Sequence, residues 1–176
     1  TTTGGTSTVV TVSSTGAIIN SIPSNAGCLT GSAATLIFAN GSSYTQSTFT
    51  TTALIPLATW GASSNITMNG ASTTAPTFTN IAQTFGNLSF SLPSLTATSS
   101  IWTTNTAVIQ GNLTVTVPTA IIFRALTSGS LTVNGNLNIN GGIFQHTSST
   151  ATLTVLGNTT IASGATLDLS AGSGTY

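Results

Sequence analysis

The sequence predicts an all-β protein, a parallel β-solenoid whose coils are about 22–25 residues long. Two observations predict this fold: apolar and polar residues alternate along the chain, and a short motif recurs at nearly constant intervals. Alternation with a period of two is typical of β-strands, because successive side chains point to opposite faces. Regular recurrence is typical of units that stack, since one such unit cannot bury its inner face alone.

The repeated motif carries Gly-Asn at its centre, and its clear copies are Ala107–Val115, Leu131–Ile139 and Leu153–Ile161. A fainter copy, Ala82–Phe90, lies upstream. The central glycines stand at positions 86, 111, 135 and 157, so the intervals between them are 25, 24 and 22. We expect successive copies to lie directly above one another as parallel strands about 4.8 Å apart.

In the three clear copies, apolar residues lie two and four places from the central glycine on both sides, apart from Thr159 in the last one. We expect a common core that includes Leu113, Val115, Val133, Leu137, Ile139 and Val155. The glycine is expected to form a corner or bulge through its tolerance of positive φ. The asparagine that follows is expected to tolerate left-handed geometry and to bond its own backbone.

The chain is predicted to form one continuous domain with two parts. Residues 1–80 share the composition but lack a clear register, so we expect irregular coils or a cap there, as solenoid ends need. Residues 81–176 are expected to form the regular coils.

Charged residues are almost absent, with one Arg, one Asp, one His and no Lys or Glu. Ordinary domains are about one quarter charged. The composition excludes a nucleic-acid interface, which needs clustered basic residues, and a basic patch for anionic membranes. No apolar run is long enough for a membrane-spanning helix, so no membrane insertion is expected. A net charge of zero removes repulsion between copies and favours self-association.

The segments from Ser130 to Gly142 and from Ile161 to Leu169 are similar to repetitive β-helix and β-solenoid regions of large secreted bacterial surface proteins. The resemblance is strongest to Bacteroidota-type cell-surface adhesins and fibre proteins, and it covers residues 80–170. The resemblance implies a solenoid at the cell exterior, and it brings no catalytic residues with it.

The titratable side chains argue against an enzyme. Glycoside hydrolysis normally uses two carboxylates, and this chain has only Asp168. A metal site needs several His, Cys, Asp or Glu ligands, so neither a metal nor another cofactor is expected.

Arg124, His146 and Asp168 are equally spaced, at an interval of 22 that is close to the coil length. We expect a polar ladder in which His146 bonds Asp168 near Arg124, with a small polar site as the alternative.

Other polar residues allow further predictions. Five asparagines begin Asn-X-Ser/Thr triplets and are candidate glycosylation sites, although a turn role suffices for several: Asn40, Asn65, Asn87, Asn112 and Asn158. Cys28 has no partner for an intrachain disulfide, so it is either buried or paired between molecules.

The function predicted from the sequence is structural: a self-associating, extracellular fibre subunit or a segment of a surface adhesin. The alternative is an ice- or carbohydrate-binding module that uses outward threonine rows. Candidates for those rows are Thr114 and Thr116, Thr152 and Thr154, and Thr159 and Thr160. Threonine is also simply a good exposed strand residue.

Overall fold

The computed structural model of the chain describes residues 9–22, 29, 31–49, 51–70, 75–102, 106–146 and 151–169. These residues form short β-strands joined by turns and loops, with no helix among them. In chain order the strands are β1 (Val10–Val12), β2 (Ala17–Asn20), β3 (Leu36–Phe38), β4 (Ser43–Gln46), β5 (Thr52–Leu54), β6 (Thr59–Trp60), β7 (Asn65–Met68), β8 (Thr77–Thr79), β9 (Thr84–Phe85), β10 (Asn87–Ser91), β11 (Ser99–Trp102), β12 (Thr106–Ile109), β13 (Leu113–Thr116), β14 (Ile122–Leu126), β15 (Ser130–Val133), β16 (Leu137–Ile139), β17 (Ile143–His146), β18 (Thr152–Val155), β19 (Thr159–Ile161) and β20 (Thr166–Asp168).

The strands fall into three columns, which we call the first, second and third faces. The second face is a single sheet in the order β2-β4-β7-β10-β13-β16-β19. The first face contains β1-β3-β6 and β9-β12-β15-β18, and the third contains β5-β8 and β11-β14-β17-β20. Every ladder among the described strands is parallel. The predicted all-β parallel solenoid is confirmed, with about 6 turns.

The repeated motif turns the corner between the first and second faces. Its first half is β12, β15 or β18, and its second half is β13, β16 or β19. Leu113 pairs with Leu88 and with Leu137, which in turn pairs with Thr159, so the glycine intervals of the sequence equal the coil lengths. The first coil is slightly longer than predicted, since Asn20 pairs with Gln46, 26 positions later.

The division expected at residue 80 falls where two of the three faces are interrupted. In the first face β6 and β9 form no ladder, and in the third face none joins β8 to β11. The second face is continuous there, because β7 pairs with β10. The coils before residue 80 therefore share the register of the later ones along one face.

The core lies between the three faces and is filled by the inward residue of each alternating pair. Of the six predicted core residues, Leu113, Val115, Val133, Leu137 and Ile139 have no exposed surface. Val155, on the last strand of the first face, is half-buried and packs against the same core.

Aromatic rings stack along the interior from coil to coil. The rings of Phe38 and Trp60 lie 4.3 Å apart and nearly parallel, and those of Phe90 and Phe123 lie 4.9 Å apart. Phe144 continues this second stack at 6.1 Å from Phe123. Each such pair is worth about 0.5–1.5 kcal/mol beyond its buried area. The aromatic residues therefore reinforce the same coil-on-coil register as the backbone ladders.

The register predicts the effect of a charge at Val133. Its side chain is fully buried and aligned with Ile109 and Val155. Val133→Asp places an unpaired carboxylate in this column and should cost several kcal/mol, on the order of a 10 °C loss of melting temperature or more. The matched control is Thr132→Asp on the outward side of the same strand, with an expected cost of about 1 kcal/mol or less. Thermal unfolding followed by circular dichroism measures both; equal melting temperatures for the two variants would show that the register is wrong.

Candidate functional site

The few charged side chains lie on the outer side of the third face. Arg124 on β14, Gln145 on β17 and Asp168 on β20 are aligned in register and half-buried. Nε of Arg124 donates to Oε1 of Gln145 at 3.1 Å, and Nε2 of Gln145 donates to Oδ2 of Asp168 at 2.8 Å. The amide thus connects the guanidinium to the carboxylate across three coils.

The predicted place of His146 in this ladder is wrong by one residue. His146 is fully buried on the inner side of β17, where it aligns with Leu126. The register of β14 against β17 shifts between Arg124 and Leu126, which leaves Ala125 as an extra residue. Before this shift Arg124 pairs with Gln145, 21 positions later rather than 22, so Gln145, which the spacing argument overlooked, occupies the middle of the row. One carboxylate bonded to an amide does not form the acid–base pair that hydrolysis needs.

The asparagines of the repeat form a second ladder, at the corner between the first and second faces. The main-chain N–H of Asn112 donates to Oδ1 of Asn87 at 2.9 Å, that of Asn136 to Asn112 at 2.8 Å, and that of Asn158 to Asn136 at 2.9 Å. Nδ2 of Asn87 donates to Oδ1 of Asn65 at 3.1 Å. The coils from Asn65 to Asn158 are thereby hydrogen-bonded to one another at the same corner.

The predicted reason for the Gly-Asn pair is wrong in two respects. Positive φ occurs elsewhere among the described residues, at Gly41 and Gly129 for example, but not at Gly111, Gly135 or Gly157. These glycines are required by close approach instead: a Cβ on Gly135 would lie 2.5 Å from the carbonyl oxygen of Gly111. The asparagine side chain also bonds the backbone of the next coil rather than its own.

The five candidate glycosylation asparagines all lie on the surface. Asn87 is half-buried, and Asn40, Asn65, Asn112 and Asn158 are exposed. Four of them belong to the asparagine ladder, and Oδ1 of Asn40 accepts the main-chain N–H of Ser63 at 3.1 Å. These contacts account for the asparagines structurally, and glycosylation stays a prediction. Cys28 lies outside the described residues.

The second face presents two neighbouring outward rows of small polar side chains. From β4 to β19 every position in both rows is Ser, Thr or Asn. One row is Ser43, Asn65, Asn87, Asn112, Asn136 and Asn158, and the other is Thr45, Thr67, Ser89, Thr114, Asn138 and Thr160. The rows are apolar only on the first strand, β2, where Ala17 and Ile19 take these positions.

This composition is specific to the second face. The outer side of the third face carries Ile122 and Ile143 beside the charged row, and the first face carries Ile37 and Val108. Strand propensity alone therefore does not explain the uniform hydroxyl and amide rows.

Of the threonine candidates, Thr114 and Thr116 face outward on the second face, whereas Thr152 and Thr154 lie on the first face. Thr159 takes an inward position, in register with Leu137.

A cleft of about 530 Å³ lies where the first face is interrupted, next to Trp60, Leu57 and Gln110. The amide of Gln83 bridges the gap between β6 and β9. Its Oε1 accepts from the main-chain N–H of Ala58 and from Nε1 of Trp60, both at 3.2 Å, and its Nε2 donates to the carbonyl oxygen of Asn80 at 2.6 Å. This amide replaces the missing ladder, so its polar groups are already used by the fold.

Comparison with known proteins identifies no relative: no family model, no curated protein and no solved structure matches the chain. Within the described ranges, no three His, Cys, Asp or Glu side chains are grouped so that they could hold a metal ion. The same ranges contain no helix long and apolar enough to cross a membrane.

The close approach at the corner predicts the effect of a single methyl group. In Gly135→Ala the new Cβ would lie 2.5 Å from the carbonyl oxygen of Gly111 and 2.7 Å from Oδ1 of Asn112. Because the clash involves main-chain atoms, we expect a loss of about 1–3 kcal/mol in the free energy of unfolding. The exposed neighbour Asn134→Ala should change it by about 0.5 kcal/mol or less. Urea denaturation measures both, and an unaffected Gly135→Ala variant would contradict this role of the glycine.

Proposed function

We propose that the chain is a non-enzymatic structural protein, a self-associating segment of an extracellular fibre or of a cell-surface adhesin. The observation that carries the proposal is the continuous second face, in which seven parallel strands are joined coil to coil. Backbone ladders, the asparagine ladder and stacked aromatic rings all act along the same axis, which favours a stiff rod. A rod of this kind suits a spacer or a fibre subunit.

The polar chemistry of the chain supports the non-enzymatic part of the proposal. The whole sequence has one acidic side chain, Asp168, and it is bonded to Gln145 at 2.8 Å. His146 lies fully inside the core. General acid–base catalysis needs titratable groups that reach a substrate together, and these two side chains lie on opposite sides of the third face.

The placement at the cell exterior rests on composition and resemblance. A repetitive chain rich in Thr, Ser, Asn and Gly with almost no charge is similar to the solenoid regions of Bacteroidota-type surface adhesins and fibre proteins. Its uncharged surface has little to keep copies apart in solution. We therefore propose that its main partner is another copy of the same chain.

The outward rows of the second face favour a second candidate function, the binding of ice or of carbohydrate. A regular array of hydroxyl and amide groups would hold water molecules or sugar hydroxyls at regular intervals. No aromatic side chain lies in the two rows, although such rings commonly supply apolar contact at binding surfaces. Inhibition of ice growth or retention on an insoluble glycan by a monomeric protein would favour this candidate.

The self-association proposal predicts assembly that does not depend on salt. Charge is almost absent, so ionic screening has little to act on. Sedimentation velocity of the full chain at low and high salt should show the same oligomers. A monomer under all conditions would contradict the proposal, and oligomers that dissociate in salt would show that Arg124 and Asp168 contribute to the contact.

Removal of residues 1–14 tests whether the copies join through this segment. A Thr-rich segment at the end of the chain could add to a neighbour as a donated strand. Within the described part of the segment, β1 pairs with β3 of its own chain. We therefore expect the truncated protein to assemble as the full chain does; loss of assembly only after truncation would favour strand donation.

A further inference from the structure

We infer that the second face is the lateral interface between two copies of this chain, packed face to face through its rows of Ser, Thr and Asn. The inference rests on the self-association proposed above and names the surface that mediates it. The rows are the two defined above, which run from Ser43 to Asn158 and from Thr45 to Thr160.

The charge distribution favours this face over the third. Arg124 and Asp168 both lie on the outer side of the third face, so packing through that face would remove both from water. Desolvating charges is costly even when they are paired. The second face carries no charged side chain in its rows, and packing through it leaves the Arg124–Gln145–Asp168 row in solvent.

The regularity of the rows fits a partner with the same repeat. Strands in the second face are spaced by about 4.8 Å, and a second copy presents that spacing at every coil. Facing hydroxyl and amide groups can then pair repeatedly along the axis, as they do where identical uncharged sheets interdigitate. A partner with a different repeat would leave some of these polar groups covered but unpaired, which costs free energy.

The size of the face is sufficient for a specific contact. Seven strands extend over about 30 Å. The two rows, together with the next outward position beside them, as at Ser91 and Thr116, extend over about 20 Å with their side chains. The covered area is then about 600 Å² on each copy, or about 1,200 Å² in total, at the lower limit of stable interfaces. The first face offers less continuous area, because it is interrupted between β6 and β9.

One apolar side chain at the end of the rows also favours a protein partner over water. Ile19 occupies the outward row on β2 and is 68% exposed. Covering an exposed isoleucine stabilises a protein contact, whereas leaving it against ordered water gains nothing. Ice is the competing occupant, and an experiment distinguishes the two.

The test compares two lysine variants of the full chain that differ only in the face they alter. Thr114 on β13 and Thr132 on β15 are both outward and half-buried within strands of equal length. Each variant adds one positive charge to the same protein. Thr114→Lys should weaken dimerisation on the order of a hundredfold, because the ammonium group loses water in the centre of the contact. Thr132→Lys should dimerise as the parent does.

Dimer dissociation is measured by sedimentation over a concentration series, with circular dichroism to confirm folding. If Thr114→Lys does not fold, Thr67→Lys in the same row on β7 replaces it. Loss of the dimer in the Thr114 variant alone supports the inference. Equal behaviour of the two variants overturns it while leaving self-association intact, and a parent that is monomeric throughout overturns both. A monomeric parent that inhibits ice growth, with inhibition lost in Thr114→Lys, assigns the face to ice instead.

Discussion

The fold depends on how closely successive coils approach at the Gly-Asn corner. A Cβ on Gly135 would lie only 2.5 Å from the carbonyl oxygen of Gly111, which leaves no room for a side chain. The main-chain N–H of Gly135 donates to the same oxygen at 2.9 Å. Asn112 then accepts the N–H of Asn136 at 2.8 Å. Because the corner joins the first face to the second, fixing it sets the register of the strands on both sides. That register places the leucine and valine side chains inward and the polar rows outward.

Variation in coil length is absorbed away from this corner. The repeat distance varies between 26, as from Asn20 to Gln46, and 22, as from Asn136 to Asn158, yet the second face is never interrupted. The third face accommodates an extra residue at Ala125, and the first face replaces a missing ladder with the Gln83 amide. A solenoid tolerates such differences because each coil contacts mainly its neighbours. The outer surface of the solenoid can therefore differ from face to face, with the charged residues on the third face and the uncharged polar rows on the second.

The sequence predicted the later coils well because their corners repeat Gly-Asn, whereas the earlier coils use a different residue at the same place. Ser42 and Ser64 align with Gly86, and their hydroxyls donate to the carbonyl oxygens of Ala39 and Gly61. A search for the Gly-Asn motif therefore misses the earlier coils. The uniform outward rows of the second face become apparent only when the strands of that face are aligned.

The position of His146 could not be predicted, because the equal spacing of Arg124, His146 and Asp168 assumed third-face segments of equal length. Gln145 lies 21 positions after Arg124 and 23 before Asp168. The coil between Arg124 and Gln145 is one residue shorter than the spacing assumed, so strand alternation puts Gln145 in the outer row and His146 in the core. A difference of one residue in coil length breaks the correspondence between spacing and face, since a one-residue shift moves a side chain to the opposite side of the sheet.

The central claim, that successive Gly-Asn repeats stack in register as parallel strands, is tested most directly by paired cysteines on β13 and β16. With Cys28 replaced by Ser, Thr114→Cys/Asn138→Cys joins two residues that are partners in the second face. Their Cα atoms should lie about 5 Å apart, within the range that a disulfide bridges, while Thr114→Cys/Asn140→Cys places them about 8 Å apart. Mass spectrometry of the dilute, oxidised protein should find an intrachain disulfide in the first pair only. Equal or preferential cross-linking of the second pair would contradict the stacked register.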